Sequence, residues 1–368
     1  MLNLLIKTGY PFAAFRFPGE QEFTNIVQTV KKPETYDPEN MDHVSGFLFA
    51  PFDRDAGDPH FIIRHDLSYS WHPGHPVNAP VSLPLPGGTD AESEEDFPAV
   101  THGEYILQIK KVLQQIRAGE ATKVVLSRPL PVRLPEVFDF TAFFTGLHLA
   151  YPGAFIFMVF LPGHGIWAGA TPELFLERGS RFLKTVALAG TLPVNSPDDI
   201  PFWTEKEKEE QHIVTEYIRE ELHDRGFEPA EISGPHTLIA GNVAHLQTVV
   251  NIPVPANRKE LAEIIHALHP TPAICGYPGK AALQIIRNTE SYNRQYYTGY
   301  LGPWNTRYPS RLYINLRSML FRPGGTGAVL YAGGGITAAS VPEKEWEETT
   351  LKMKTLLSVL EKMPKFVQ

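Results

Sequence analysis

Two kinds of hydrophobic pattern, one typical of helices and one typical of strands, follow each other irregularly along the chain. From Gly103 to Ala118 apolar residues return every three or four positions, which predicts an amphipathic helix. Helices with less regular patterns are predicted over residues 135–149, 204–224, 257–268 and 278–288. Short apolar runs between turn residues predict strands. These runs are 46–50, 61–63, 122–128, 154–161, 166–176, 182–188, 243–250, 296–301, 312–319 and 328–332. Because helices and strands do not alternate steadily, we expect an α+β fold with large, mostly antiparallel sheets.

The first 97 residues differ in character from the rest. They are rich in proline, glycine and aromatic residues, and their short apolar runs predict strands joined by turns. Residues 80–98 are polar, acidic and broken by proline and glycine, which predicts a loop or linker. We therefore expect a β-rich region, residues 1–97, that completes the sheet layers, and a second region, residues 98–368, that carries the functional site. One compact domain is expected to contain both.

A glycine-rich segment near the C-terminus joins an apolar strand, residues 327–332, to a charged helix. Gly333–Gly335 follow the strand directly and predict a loop. Ser340 is a suitable N-cap, Pro342 would lie in the first helical turn, and Glu343 stands three residues after Ser340, as in a capping box. The helix is therefore predicted to begin here.

One face of this helix carries Glu345, Glu348 and Lys352, which are spaced by three and four residues. Two carboxylates one turn apart suit a hard cation such as Mg²⁺, and Lys352 could reach a second negative group. Backbone N–H groups near Gly333 could approach a carboxylate closely. From these residues alone, a solvated surface helix explains the same spacing equally well.

Composition excludes several classes of partner. The 368 residues are 43% hydrophobic and 20% charged, as in ordinary globular proteins, and the net charge is −8 without a basic block. We therefore expect no nucleic acid or anionic membrane as partner. The single cysteine, Cys275, excludes an internal disulfide bond and a thiolate zinc cluster. No apolar run of ~18 residues and no signal peptide is recognised, so a cytoplasmic protein is expected.

Other ionisable residues stand at unusual places in the predicted elements. Lys123 begins a strand, Glu173 follows a proline that should bend a strand, and His245 interrupts an apolar strand. Glu207 and Glu210 lie one turn apart on a charged helix. Taken singly, each has an ordinary explanation as an edge charge, a loop residue or a solvated helix face. Residues 189–191 are predicted to form a turn that presents backbone groups.

Taken together and in order, these segments resemble the chorismate-utilising enzymes, which comprise anthranilate, aminodeoxychorismate, isochorismate and salicylate synthases. The resemblance covers about residues 100–365. It rests on the segments KVVLSR from Lys123, GATPELF around Glu173, ALAGT, KEKEEQH, HLQT, LHPTPAICG, NRQYYTG, INLRS, AGGGI and PEKEWEET. The resemblance implies sheets packed face to face with helices outside.

Two positions distinguish members of this family. Those that use ammonia resemble one another in carrying glutamine where Lys123 stands, and aminodeoxychorismate synthases carry lysine where Ala189 stands. The resemblance thus implies an isochorismate synthase, which adds water at C2 of chorismate with loss of the C4 hydroxyl and feeds menaquinone or siderophore synthesis. A salicylate synthase, which also eliminates pyruvate, is the alternative. Further alternatives are an ammonia-using subunit and a chorismate-binding or metal-binding regulatory module without catalytic activity. We expect no glutaminase subunit, and a monomer.

The resemblance also implies roles for individual residues. Lys123 would be the general base that deprotonates water, and Glu173 would be the general acid. Mg²⁺ would be held by Glu210, Glu345 and Glu348, with Glu207 as a weaker candidate. The remaining residues would bind or surround chorismate; they are Gly190, Thr191, His245, Ala273, Ile274, Tyr297, Arg317, Gly333 and Lys352.

Overall fold

A computed structural model describes residues 1–73, 97–194, 201–240, 243–255, 258–322 and 326–363. Most of the predicted linker, residues 80–96, lies outside this part of the chain.

The helices are α1 Leu2–Thr8, α2 His102–Arg117, α3 Phe140–Ala150, α4 Glu205–His223, α5 Arg258–Leu268, α6 Gly279–Thr289 and α7 Pro342–Leu360, with a short 3₁₀ helix at Pro38–His43. The strands are β1 Phe12–Arg16, β2 Phe23–Val27, β3 Glu34–Thr35, β4 Gly46–Ala50, β5 Phe61–Arg64, β6 Leu67–Trp71, β7 Lys123–Arg133, β8 Phe155–Leu161, β9 Gly165–Thr171, β10 Leu174–Arg178, β11 Phe182–Pro193, β12 Glu231–Ala240, β13 Val243–Pro253, β14 Gly276–Tyr277, β15 Tyr300–Trp304, β16 Ser310–Ile314, β17 Ser318–Phe321 and β18 Gly327–Thr337.

The described strands form two nine-stranded sheets. The first has the order β14-β7-β18-β17-β9-β8-β1-β2-β6, and the second has the order β12-β13-β11-β10-β16-β15-β4-β5-β3. All pairings described are antiparallel, including the long pair of β7 with β18. Strands from residues 1–73 pair with later strands in both sheets.

The two faces of strand β1 pack in different cores, and this shows how the layers are arranged. Ala13 and Phe15 of β1 lie in a core with residues of both sheets, such as Phe47 of β4. Phe12 and Ala14, on the opposite face of β1, pack in the core that α1, α3 and α7 cover. Since neighbouring side chains on a strand point to opposite faces, the two sheets lie face to face. Helices α4 and α5 cover the outer face of the second sheet. The predicted α+β class and its layer order are confirmed.

The break predicted at Pro172 is a crossing between the two sheets. β9 pairs with β8 and β17 in the first sheet, whereas β10 pairs with β11 and β16 in the second. Proline cannot donate to a sheet, so the regular pleat ends where the chain changes sheets. Glu173 lies at this crossing, outside both strands.

The predicted glycine loop is wrong, because Gly333–Gly335 belong to β18 and pair with β7. A glycine here leaves space that a side chain would fill. A Cβ on Gly335 would lie 2.9 Å from Lys123 Cε, and one on Gly334 would lie 3.2 Å from Glu345 Oε2. A loop was predicted from the glycines, but they instead permit close packing over a regular strand.

Other predicted boundaries differ from the structure. The N-cap of α7 is Val341 rather than Ser340, whose hydroxyl accepts a hydrogen bond from Thr337 N. Residues 189–191 form a bulge inside β11 rather than a turn. The third helix begins only at Phe140, because Asp139 caps it. The strand predicted at 296–301 begins only at Tyr300, and the strand predicted at 312–319 is divided into β16 and β17. Helix α1 and strand β12 were not predicted. Within the described residues, no helix is long and apolar enough to cross a membrane.

Candidate active site

Lys123 is held at the start of β7 between two strands. Its backbone is in register with Thr337 of β18 and with Tyr277 of β14. The side chain passes over Gly335, where no Cβ obstructs it. Gly333 and Gly335 keep partial solvent access, whereas Gly334 and Ile336 are buried. Solvent therefore reaches the face of β18 on which Lys123 lies, and we call the space in front of this face the recess.

Several charges converge on the Lys123 ammonium group. Burial lowers the pKa of Lys123, and the nearby positive charge of Lys352 lowers it further. The carboxylates of Glu210, Glu173 and Glu348 oppose this effect without reversing it. The lowered pKa is what a lysine requires to act as a base near neutral pH.

Glu173 is fixed through its backbone at the crossing between the sheets. Its carbonyl oxygen accepts a hydrogen bond from Ile314 N at 3.0 Å, and its own N–H donates to Thr171 Oγ1 at 3.4 Å. The carboxyl is only partly exposed, and burial raises its pKa to about 7, although Lys123 and Lys352 oppose the rise. A carboxyl with this pKa is protonated in a substantial fraction of molecules at neutral pH, as a general acid must be.

Lys352 links α7 to the glycine segment. Its Nζ donates to Gly333 O at 2.8 Å and forms an ion pair with Glu348 Oε1 at 2.6 Å. Its charge affects Lys123, Glu173 and His245, so its head group faces the same recess.

Arg317 and Tyr297 lie in the same enclosed region. Burial lowers the pKa of Arg317 and raises that of Tyr297 to about 12, where the Arg317 charge opposes the rise. The Tyr297 ring stacks on Tyr331 with centroids 5.2 Å apart. The Arg317 guanidinium contacts α7 through Thr355 and the backbone of Lys352. The structure thus supplies a guanidinium and a phenol beside the candidate acid.

His245 faces the bulge in β11. Its Nδ1 lies 3.2 Å from Gly190 O, and burial lowers its pKa, so the ring is neutral at neutral pH. Gly190 has a φ of +67°, and a Cβ there would lie 3.0 Å from Glu207 Cβ. Thr191 pairs with His245 across the strands. The predicted backbone-presenting segment is therefore at the site, although its conformation is not a turn.

Ala273 and Ile274 lie in the segment before β14. Ala273 is partly exposed, whereas the Ile274 side chain is buried in the core beneath the second sheet. Ile274 O accepts a hydrogen bond from Arg294, which also bonds Val125 O and forms a buried ion pair with Glu290. Both residues of this ion pair follow the end of α6, and the sequence analysis assigned them no role.

The three predicted metal ligands are not gathered in one group. Glu210 and Glu348 both act on Lys123 and therefore face the recess. Glu345 Oε2 instead lies beside Gly334, on the opposite face of β18 from Gly335. Within the described residues, no three histidine, cysteine or acidic side chains are arranged to hold a metal ion. Carboxylate oxygens suit Mg²⁺ as ligands, but the Glu345 side chain would have to turn toward the recess to complete the set.

Arg128 attaches α7 to β7 and was missed by the sequence analysis. Its buried guanidinium donates to Thr349 Oγ1 at 2.8 Å and to Thr350 Oγ1 at 2.7 Å, and it lies 3.6 Å from the centre of the Trp346 ring. Burial lowers the pKa of Arg128 to about 10. Trp346 lies between Glu345 and Glu348 in sequence, and Thr349 and Thr350 follow Glu348. The contacts with Arg128 therefore fix the part of α7 that carries both carboxylates. A second basic residue in the strand segment KVVLSR was the available signal.

A surface cavity of about 440 Å³ lies elsewhere and contains none of the candidate residues. It is lined by Glu39, Asn40, Asp42, His43 and Lys259. We assign it no part in the chemistry, because the groups with functionally shifted pKa values surround Lys123 instead.

The chain is similar in sequence to known isochorismate synthases. The chain is 30% identical to isochorismate synthase EntC of Escherichia coli K12 over 249 residues, which make up 65% of this chain and 62% of that protein. It is 28% identical to isochorismate synthase MenF of Haemophilus influenzae over 258 residues, which make up 68% of this chain and 59% of that protein. The matched segment therefore spans less than two thirds of either relative.

Solved structures share the fold over nearly the whole chain. The structure of MenF, the menaquinone-specific isochorismate synthase from Escherichia coli, matches with a TM-score of 0.76 and 22% identity, covering 96% of this chain and 89% of that one. Anthranilate synthase component I from Streptococcus pneumoniae matches with a TM-score of 0.64 and 17% identity, covering 94% and 89%. At these identities the likeness establishes the fold.

A family model spans most of the sequence. The model described as "Chorismate binding enzyme" matches residues 88–361, which include Lys123, Glu173, the helix α4 and the whole of α7. Within the described residues, both sheets and the recess around Lys123 are built largely from this part of the chain. The chain therefore belongs to the chorismate binding enzyme family.

Proposed function

We propose that the chain is an isochorismate synthase, which converts chorismate to isochorismate by adding water at C2 and releasing the C4 hydroxyl as water. One observation carries the proposal. Lys123 and Glu173 act on each other within one recess, and burial lowers the pKa of the lysine while it raises that of the glutamate. This combination favours the neutral, basic form of the lysine and the protonated, acidic form of the glutamate in the same site.

Lys123 would take a proton from the attacking water. The oxygen–carbon bond forms at C2 while both ring double bonds shift, from C1=C2 to C1=C6 and from C5=C6 to C4=C5, and the bond between C4 and its oxygen breaks. Glu173 would give its proton to that oxygen, so one water enters and one leaves. Because the lysine gains one proton from the attacking water while the glutamate gives one to the departing oxygen, the net charge of the pair does not change during the step.

The substrate's two carboxylates need cationic partners. Arg317 and Lys352 supply positive charge, and Tyr297 supplies a hydroxyl beside Arg317. His245 would orient the substrate near the departing hydroxyl as a neutral ring. We propose that the backbone at Gly190, Thr191 and Gly333 and the side chains of Ala273 and Ile274 shape the rest of the recess; the buried position of Ile274 indicates an indirect part in this.

We propose that Mg²⁺ assists the reaction, held by Glu210, Glu348 and a reoriented Glu345. A bound magnesium ion would anchor and neutralise the ring carboxylate of chorismate. The two carboxylates that already face Lys123 support this assignment. Glu348 is paired with Lys352, so ligation of a metal ion by Glu348 would require that this ion pair opens. Glu207, which packs against Gly190, remains a weaker candidate ligand.

Proton NMR of purified protein incubated with chorismate and Mg²⁺ tests the activity and should show isochorismate. Lys123→Ala should abolish turnover while chorismate still binds, and Lys110→Ala, an exposed lysine of α2, is the matched control. A Lys123→Ala variant that turns over at the normal rate would exclude lysine as the base. Tight chorismate binding by the unmodified protein without any product would favour a regulatory module.

The same assay separates the related reactions. Pyruvate release, measured with lactate dehydrogenase, would indicate a salicylate synthase, and anthranilate formed only with ammonium would indicate an ammonia-using subunit. Lys123 supports water as the nucleophile, so we propose that no glutaminase partner is needed. We further propose a monomer that acts in the cytoplasm and supplies menaquinone or siderophore synthesis.

A further inference from the structure

Arg317 is held in an unusual backbone conformation. Its φ of +48° lies in the left-handed region, which side chains other than glycine rarely adopt. The conformation is fixed from β9, because Ala170 N donates to Arg317 O at 3.1 Å. A Cβ on Gly169 would lie only 2.5 Å from that oxygen, so this close approach requires glycine. A strained residue that its neighbours fix this firmly is typical of a functional site.

The Arg317 side chain is fastened to α7 through one nitrogen only. Nη1 donates to Thr355 Oγ1 at 3.0 Å and lies 3.5 Å from Lys352 O. Within the part of the chain that the structure describes, Nε and Nη2 have no hydrogen-bond partner. These two nitrogens form one edge of the planar guanidinium, and such an edge binds both oxygens of a carboxylate. The contact with Thr355 therefore determines which edge faces the recess.

Thr355 is itself held in place from the other side. The Tyr151 hydroxyl donates to Thr355 O at 2.8 Å and lies 3.4 Å from Ser358 Oγ. Arg16, which is buried, donates to the backbone carbonyl groups of Tyr151 and Pro152. A continuous set of hydrogen bonds thus runs from β1 through Tyr151 and α7 to the Arg317 guanidinium.

We propose that Thr355 is a positioning residue for substrate binding, which holds Arg317 by Nη1 so that its Nε–Nη2 edge receives one carboxylate of chorismate. The proposal rests on the function proposed above and names a determinant within that site. Without the Thr355 hydroxyl, the guanidinium can rotate about its terminal torsions, and the bidentate contact must be formed at an additional entropic cost.

Three substitutions on α7 test this role. Thr355→Val has nearly the same shape but lacks the hydroxyl, Thr355→Ser restores it, and Ser358→Ala removes the neighbouring hydroxyl that does not contact Arg317. Chorismate binding is measured by calorimetry with Lys123→Ala as the background, so that no substrate is consumed. Thr355→Val should weaken binding about tenfold, which corresponds to ~1.4 kcal/mol. Thr355→Ser and Ser358→Ala should each remain within about twofold of the parent, since neither removes this contact.

A double-mutant cycle separates positioning from general destabilisation. In an Arg317→Lys background, where the planar edge is absent, Thr355→Val should cause no further loss of affinity. Equal additional losses in both backgrounds would overturn the proposal, as would unchanged affinity in Thr355→Val alone. A parent protein that does not bind chorismate would instead refute the proposed function, so the two failures are distinguishable.

Discussion

Replacement of Glu173 by glutamine should stabilise the protein while it removes the catalytic acid. Glutamine has nearly the shape of a protonated glutamate but does not ionise. The pKa of Glu173 is raised by burial from 4.5 to about 7, so the folded protein binds a proton more tightly than the unfolded chain does. Folding therefore becomes less favourable as the pH rises from about 4.5 to about 7, and the full cost is present above that range.

The size of the effect follows from this change in pKa. A rise from 4.5 to about 7 corresponds to ~3 kcal/mol of unfavourable ionisation free energy at high pH. The attraction between Glu173 and Lys123 is already included, because it opposes the rise. Since solvent still reaches the carboxyl, we expect the measured gain in Glu173→Gln to be ~2 kcal/mol at pH values near 8.5. At pH values near 5 the gain should fall to ~0.5 kcal/mol, because the unfolded chain is only partly ionised there.

Urea unfolding at both pH values measures this difference directly. Glu347→Gln, an exposed glutamate of α7, is the control and should change the free energy of unfolding by less than ~0.5 kcal/mol at either pH. If Glu173→Gln has the same stability as the parent protein at high pH, or gains equally at both pH values, Glu173 does not have the raised pKa on which its role as an acid depends.

Three further outcomes are expected. The value of kcat/KM should fall as the pH rises above about 7, because Glu173 must be protonated to act; a flat profile between about pH 6 and 9 would contradict this. Gly335→Ala should lower kcat about tenfold or more without unfolding the protein, because the added Cβ would lie 2.9 Å from Lys123 Cε; Gly153→Ala, which adds a Cβ in open space, should match the parent in the same kinetic assay. Arg128→Met should lower the free energy of unfolding by ~3 kcal/mol, since it leaves two hydroxyl groups of α7 without their donor; a loss below ~0.5 kcal/mol in urea unfolding would show that Arg128 does not fasten the helix.

Local patterns allowed much of the fold to be predicted. The helix predicted from Gly103 to Ala118 agrees with α2 within one residue at either end, because it has both a regular apolar face and a complete capping box at Thr101 and Glu104. A bend at Pro172 was predicted because proline cannot donate to a strand, and the structure has a crossing between the sheets there. These features depend on neighbours in sequence, so the sequence alone specifies them.

Features that depend on distant neighbours were predicted poorly. The run Gly333–Gly335 has no local preference for a strand, and it becomes one because β7 supplies eleven residue pairs along β18. The spacing of Glu345 and Glu348 predicted one shared face, but only the packing of α7 shows that Glu345 lies over Gly334. Arg128 was missed because its hydroxyl partners, Thr349 and Thr350, lie more than 200 residues away in sequence.

The candidate chemistry depends on the same long-range packing. Glu173 and Lys123 are fifty residues apart in sequence. Nothing in the residues next to either of them explains why its pKa is shifted. Burial is the largest influence on both groups, and it arises because Glu173 lies where the chain crosses between the sheets while Lys123 begins a strand inside one of them. A surface lysine with the same neighbours would remain protonated and could not act as a base. The two-sheet architecture is therefore a direct cause of the proposed acid–base pair, since it desolvates both groups while leaving a recess open for the substrate.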